Sequence, residues 1–106
     1  MAKYLIKAAY TAEGAKGLMK DGGTKRVEVV RAAMKSVGGS VETVYFALGE
    51  YDFYAIVDAP DHAAVSAIAV AANASGAAHA STTVLMTPAE VDAAVKKSVT
   101  YTPPGR

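Results

Sequence analysis

The chain has 106 residues, 52% of them hydrophobic, which is the size and composition of one globular domain. It contains no cysteine, so disulfide bonds, cysteine-ligated zinc and thiol catalysis are excluded. A net charge of +1 is too small to predict binding to nucleic acid or to a membrane surface through bulk charge. No apolar leader segment precedes the first strand pattern, so a cytoplasmic location is expected.

The first part of the chain predicts a strand followed by a broken helix. Ala2 to Tyr10 alternates in the manner of a β-strand. Thr11 to Lys20 predicts a short, glycine-interrupted helical turn, and Gly22-Gly23 then breaks the chain. Thr24 is expected to cap the next helix, which Gly38-Gly39 ends.

A β-hairpin is predicted next, from strands at 41–48 and 51–58 joined by Gly49 and Glu50. A two-residue Gly-x loop is typical of a type II′ turn, with a positive φ at Gly49. Residues paired across this loop share a sheet face. The apolar face, expected under the helices, collects Val44, Phe46, Leu48, Tyr51, Phe53 and Ala55. The mixed face collects Val41, Thr43, Tyr45, Ala47, Asp52, Tyr54, Ile56 and Asp58.

The second part of the chain predicts a helix, a strand and a short final helix. The helix runs from His62 to Ala74, with Asp61 as its cap and Gly76 as its stop, and a strand follows at 77–86. Thr87-Pro88-Ala89-Glu90 has the pattern of a capping box with proline at the first helical position. This gives one domain over 1–97 and an extended tail over 98–106.

An uncharged segment extends from His62 to Ala89, without Asp, Glu, Lys or Arg. Asn73, Ser75 and Gly76 interrupt it, and its apolar part is shorter than the roughly 20 residues that a membrane span needs, so no membrane partner is expected. A helix that is apolar on nearly every side is normally covered on nearly every side. The segment therefore predicts burial against a second copy of the chain.

The predicted order, strand-helix-strand-strand-helix-strand plus a short helix, is the ferredoxin-like βαββαβ pattern. It implies an α+β fold with a four-stranded antiparallel sheet in the order 4-1-3-2 and both main helices on one face. On the first strand the mixed face holds Lys3, Leu5, Lys7 and Ala9, and on the fourth it holds His79, Ser81, Thr83 and Leu85, with Val84 and Met86 in the core. Such a half-apolar face suits a partner sheet that encloses a cavity.

The chain resembles the GYD-domain family in several segments spread over nearly its whole length. They are Lys3-Tyr4-Leu5-Ile6, Tyr10-Thr11, Gly49-Glu50-Tyr51-Asp52, Asn73-Ala74-Ser75-Gly76 and Thr82-Thr83-Val84-Leu85. The resemblance implies a dimeric α+β barrel, an architecture shared with small-ligand effector domains and with cofactor-free monooxygenases. It implies no catalytic residue, since the activity of the family is not established.

Few residues suggest a defined chemistry. The segment 17–24 resembles a phosphate-binding loop, but Gly23 stands where lysine is required. A weaker alternative is that Gly22-Gly23-Thr24 and Arg26 bind a small anion. The two histidines, His62 and His79, lie too far apart in sequence to predict a metal site.

The predicted ligand site lies on the mixed sheet face, at Lys7, Tyr45, Asp52, Tyr54 and His79. Lys7 and Asp52 are expected to pair there, and the two tyrosine hydroxyls to orient a ligand. The function that follows is a homo-oligomeric small-ligand-binding or regulatory module, a dimer or multiple of dimers, without cofactor or metal. The alternatives are a cofactor-independent oxygenase or isomerase of a small aromatic or ketonic substrate, with His79 or Asp52 as base, and a purely structural self-assembling subunit.

Overall fold

The computed structural model describes residues 1–106. Its elements follow the predicted order: β1 (Ala2–Tyr10), α1 (Ala12–Ser36), β2 (Ser40–Phe46), β3 (Phe53–Ala59), α2 (His62–Ala74), β4 (Ala78–Leu85) and α3 (Pro88–Val95). The four strands form one antiparallel sheet in the order β2-β3-β1-β4, which confirms the predicted α+β fold and strand order. The chain after α3 forms no further helix or strand.

The two central strands carry most of the core. Tyr4, Ile6 and Ala8 of β1 are buried, and the residues between them are only half-buried. The same alternation runs through β3, where Phe53, Ala55, Val57 and Ala59 are buried. Met34 of α1, Val65 of α2 and Ala78 of β4 complete the core. Because side chains alternate across a strand, α1 and α2 cover one face of the sheet and leave the other face open.

Helix α1 consists of two helical stretches that meet at a kink. The break expected at Gly22-Gly23 is confirmed as a kink, since Gly22 has φ 81° and ψ 168°, a conformation open to glycine but not to a helical L-residue. Helical structure nevertheless continues on both sides of the kink from Ala12 to Ser36. Thr11 caps the first stretch, because its side chain accepts a hydrogen bond from the Gly14 N–H. The second stretch begins after Gly22, so the predicted restart is confirmed, but Thr24 already lies within this stretch and is not its cap.

The hairpin register is confirmed, but its turn is not the predicted one. Phe46 pairs with Phe53 and Tyr45 with Tyr54. The Ala47 N–H donates to the Asp52 carbonyl at 2.9 Å, so the loop between them spans four residues, 48–51. Positive φ values occur at other glycines and not at Gly49, which excludes a type II′ turn. The four-residue loop reverses the chain without a positive φ at Gly49.

The wider loop also corrects the predicted faces at the hairpin tip. Leu48 projects into solvent and is fully exposed instead of lying under the helices. Tyr51 leaves the strand register, and its ring lies beside Tyr54 on the open face, with ring centroids 6.3 Å apart. At the opposite edge of the sheet, Val84 and Met86 are 54% and 55% exposed, because β4 is an edge strand that the helices cover only in part.

The caps of the last two helices are confirmed. Asp61 accepts a hydrogen bond from the Ala64 N–H at 2.8 Å, and Gly76, with φ 76°, follows the end of α2. Thr87 and Glu90 make both hydrogen bonds of the capping box that begins α3. The backbone and hydroxyl of Thr87 lower the pKa of Glu90 by stabilising its charged form. None of the three helices combines the length and the apolar character needed to cross a membrane.

Gly14 provides a test of how α1 is seated on the sheet. A Cβ atom at Gly14 would lie 1.9 Å from the Ala77 carbonyl oxygen, which already accepts the Thr11 N–H. We expect Gly14→Ala to lower the free energy of unfolding by about 1–3 kcal/mol, because helix and sheet must move apart. The matched control is Gly17→Ala in the same helix, where a Cβ atom meets nothing within 4 Å. Thermal unfolding of both variants is the measurement, and equal stability would contradict this packing.

Candidate functional site

Three of the five predicted site residues lie in one row across the open face of the sheet. Tyr45 pairs with Tyr54, Tyr54 pairs with Lys7, and Lys7 pairs with Ser81. Tyr45 is 71% exposed because β2 is an edge strand, whereas the two central residues are half-buried by their neighbours. The structure therefore brings Lys7, Tyr45 and Tyr54 together as the register predicts.

Lys7 does not pair with Asp52, which corrects the ion pair expected from the sequence. Its ammonium group lies over the ring of Tyr51, 4.7 Å from the ring centroid, in a cation–π contact. The salt bridges of the chain all belong to Lys3 instead. The displaced Tyr51 thus supplies Lys7 with an aromatic partner in place of a carboxylate.

Asp52 has a structural role at the end of β1. Its carboxylate accepts a hydrogen bond from the Tyr10 N–H at 2.9 Å, while its own N–H donates to the Ala8 carbonyl. The side chain lines a hollow beside α1 with Leu18 and Met19, away from the row of tyrosines. The Asp52 carboxylate therefore takes the place of a main-chain carbonyl as acceptor for the Tyr10 N–H, at the point where the regular pairing of β1 with β3 ends.

The two histidines lie in different environments. His79 pairs with Ala9 at the edge of the open face, one row beyond Lys7, and is exposed. His62, at the start of α2, is hydrogen bonded through Nδ1 to the hydroxyl of the buried Tyr4, at 2.6 Å. No group of three or more His, Asp or Glu side chains is arranged to hold a metal ion.

A charged network occupies the other end of the open face. The Lys3 ammonium contacts both Glu42 and Asp58, on β2 and β3. Hydrogen bonding to Glu42, and then to Asp58, raises the pKa of Lys3. Glu42 reaches the open face because the strand register shifts between Val41 and Thr43, which places an extra residue there.

A mainly apolar hollow lies on the opposite side of the sheet, between α1 and α2. We call it the interhelical cleft. Its volume is about 370 Å³, and 12 of its 14 lining residues are hydrophobic. Its floor is formed by residues of the sheet, including Ile6 and Phe53, and its walls by Val30 of α1 and Ile68 of α2. The small alanines of α2 leave this space open because they do not reach across to α1.

One end of the interhelical cleft is polar. Arg26 is the only charged residue in its lining, and Tyr10 lies next to it. Burial raises the pKa of the Tyr10 hydroxyl, Asp52 adds to that shift, and the nearby Arg26 guanidinium opposes it. The hydroxyl therefore stays protonated at neutral pH and can donate a hydrogen bond.

Sequence reasoning linked Arg26 only to the glycines before it and missed the interhelical cleft. The helical spacing of the sequence does indicate that Arg26 faces the cleft. Arg26 lies three, four and seven residues before Val29, Val30 and Ala33, so it belongs to the stripe of α1 that faces the sheet. A cation within an apolar stripe indicates a charge directed toward the interior. Tyr10 likewise continues the alternation of Tyr4, Ile6 and Ala8.

Two substitutions of Asp52 test whether its hydrogen bond to the Tyr10 N–H stabilises the fold. We expect Asp52→Ala to destabilise the fold by about 1–3 kcal/mol, because the Tyr10 N–H loses its acceptor. Asp52→Asn keeps an acceptor oxygen and serves as the matched control, with most of the stability retained. Chemical denaturation of the two variants measures the difference. Equal stability of Asp52→Ala and the wild type would show that the hydrogen bond does not hold the end of β1.

The comparison with protein families agrees with this architecture. Residues 4–95 match the family model of the GYD domain, from the first strand to the end of α3. Searches of curated proteins and of solved structures gave no match. The match covers far more than half of the sequence, and the protein belongs to the GYD-domain family.

Proposed function

We propose that this GYD-domain protein is a homo-oligomeric module that binds a small, mainly apolar molecule in the interhelical cleft. The observation that carries the proposal is the cleft itself, a space of about 370 Å³ with apolar walls and one charged residue. Ligand sites in proteins are typically concave and mainly apolar, with a few polar groups that orient the ligand. A volume of this size suits a small metabolite.

The interhelical cleft is a better binding site than the open sheet face in a single chain. The three principal hollows of the surface involve neither Lys7, Tyr45, Tyr54 nor His79. Binding by these residues would require a second surface to enclose them. The ligand site predicted at Lys7, Tyr45, Asp52, Tyr54 and His79 therefore stays a prediction that depends on assembly.

Self-association is supported by the exposed surface of the chain. The chain exposes 7237 Å², whereas a compact monomer of 10.9 kDa exposes about 5,600 Å². The excess is about twice the area that each partner buries in a standard protein–protein interface. Helix α3 contributes to it, since all of its residues are exposed, including Val91 and Val95. A second copy of the chain provides matching apolar surface.

The open sheet face is the surface that we assign to this contact. Leu5 and Ile56 pair at its centre, between the Lys3 network on one side and the Lys7–Tyr51 contact on the other. Two such faces can pack on each other across an apolar centre, with charged and aromatic groups at the margins. This arrangement is the dimeric α+β barrel that the resemblance to the GYD-domain family implies.

Ile56→Asp tests the assembly. An unpaired carboxylate in a dry interface costs several kcal/mol, so the variant should sediment as a monomer at low micromolar concentration. Thr83→Lys, at an exposed position of the same face, should weaken assembly without risk to the core. The control is Ala32→Asp on the exposed side of α1. A wild-type protein that sediments as a monomer would overturn the assembly.

Ligand binding can be measured with a neutral apolar fluorophore, N-phenyl-1-naphthylamine. We expect saturable binding with one site per chain. Ala69→Phe places a ring in the interhelical cleft and should abolish binding, whereas Ala63→Phe, on the same helix but exposed and outside the lining, should not. Fluorescence titration with circular dichroism as the folding control gives the result. Binding that survives Ala69→Phe would place the site elsewhere.

No observation favours the oxygenase or isomerase alternative. Asp52 is engaged by the backbone of Tyr10, and His79 is exposed at an edge of the sheet and does not line the cleft. A regulatory role, in which the ligand alters assembly, remains part of the proposal. The cytoplasmic location expected from the sequence also remains part of the proposal.

A further inference from the structure

We infer that the interhelical cleft selects a molecule with an apolar body and a single carboxylate, and that Arg26 binds the carboxylate. This inference rests on the proposed ligand-binding function and specifies the chemistry of the ligand. Three observations carry it: the apolar lining, the position of Arg26 at one end of that lining, and the absence of a carboxylate partner for its guanidinium group.

The Arg26 guanidinium is available to a ligand. It is half-buried and forms no ion pair, and its polar neighbour is the Tyr10 hydroxyl, whereas Arg31, five residues later, donates to the Val41 carbonyl. Glu13 and Asp21 line the adjoining hollow together with Arg26, but neither lies within salt-bridge distance of it. The interhelical cleft itself contains no acidic side chain. An anion bound in the cleft would therefore meet a positive charge that no carboxylate contacts directly.

The chemistry of this end of the cleft favours a carboxylate over a phosphate. A guanidinium group presents two parallel N–H donors that match the two oxygens of a carboxylate. The Tyr10 hydroxyl supplies one further donor beside it. One cation balances the single charge of a carboxylate but not the double charge of a phosphate monoester. The apolar walls then suit a hydrocarbon chain or ring attached to that carboxylate.

The experiment compares decanoate with decan-1-ol as competitors of N-phenyl-1-naphthylamine at neutral pH. The two molecules share the same hydrocarbon chain and differ in charge at one end. We expect decanoate to displace the fluorophore from the wild type at lower concentration than the alcohol does. Arg26→Gln should weaken decanoate about ten- to a hundredfold, the usual loss when a charge-assisted hydrogen bond is removed, and should leave the alcohol unchanged.

A matched control isolates the position of the charge. Lys25→Gln removes the same net charge from the neighbouring residue of α1, which is exposed and outside the lining, and should leave decanoate binding unchanged. Tyr10→Phe should weaken decanoate by a smaller factor than Arg26→Gln. Circular dichroism shows whether each variant is folded, and Arg26→Lys, which keeps the charge, should restore part of the preference.

The outcomes separate this inference from the proposed function. If the fluorophore binds but decanoate and decan-1-ol compete equally in the wild type and in Arg26→Gln, the carboxylate assignment is overturned and the apolar site stands. An equal loss in Lys25→Gln and Arg26→Gln would also overturn it, because bulk charge would then explain the preference. Absence of fluorophore binding to the wild type would overturn the ligand site itself.

Discussion

The antiparallel pairing of β1 with β3 is the interaction on which the rest of this structure depends. Seven of the ten buried residues belong to these two strands. Their register aligns Tyr4 with Val57 and Ile6 with Ala55, so that one continuous apolar surface faces the helices. A shift of one residue would turn all of these side chains toward the open face. Both the position of α1 and the floor of the interhelical cleft follow from this register.

The small side chains of the chain explain why a cleft exists at all. Helix α2 contains seven alanines between His62 and Ala74, and only Val65 of this helix is buried. Larger residues would fill the space between α2 and α1, as native cores are otherwise close-packed. Alanine keeps the helix apolar without closing that space. The helix is therefore suited to lining a cavity more than to sealing a core.

The two faces of the sheet have different chemical characters. On the helix side, polar groups are few and concentrated at Arg26 and Tyr10, which suits an enclosed ligand. On the open side, ions and aromatic rings surround a small apolar centre at Leu5 and Ile56, which suits a second protein surface. Asp52 connects the two sides, because it holds the end of β1 and contributes to the raised pKa of Tyr10.

The sequence alone determined the order of elements and nearly all of the hairpin pairing, and the strand order followed from the analogy of that element order with the ferredoxin-like fold. These features depend on local patterns: alternation in β1 and β3, caps at Asp61 and Thr87, and glycines that end helices. The predicted row of Lys7, Tyr45 and Tyr54 on one face also follows from alternation and register.

Tertiary structure decided the features that depend on contacts between distant segments. The bond from the Tyr10 N–H to Asp52 fixed the end of β1 and removed Asp52 from the predicted site. The four-residue loop, which moved Tyr51 to the open face, is closed by a hydrogen bond that local sequence does not specify. The distance between α1 and α2, and with it the interhelical cleft, is set by packing of both helices on the sheet. No local pattern encodes that distance, because it depends on side chains from elements far apart in the sequence.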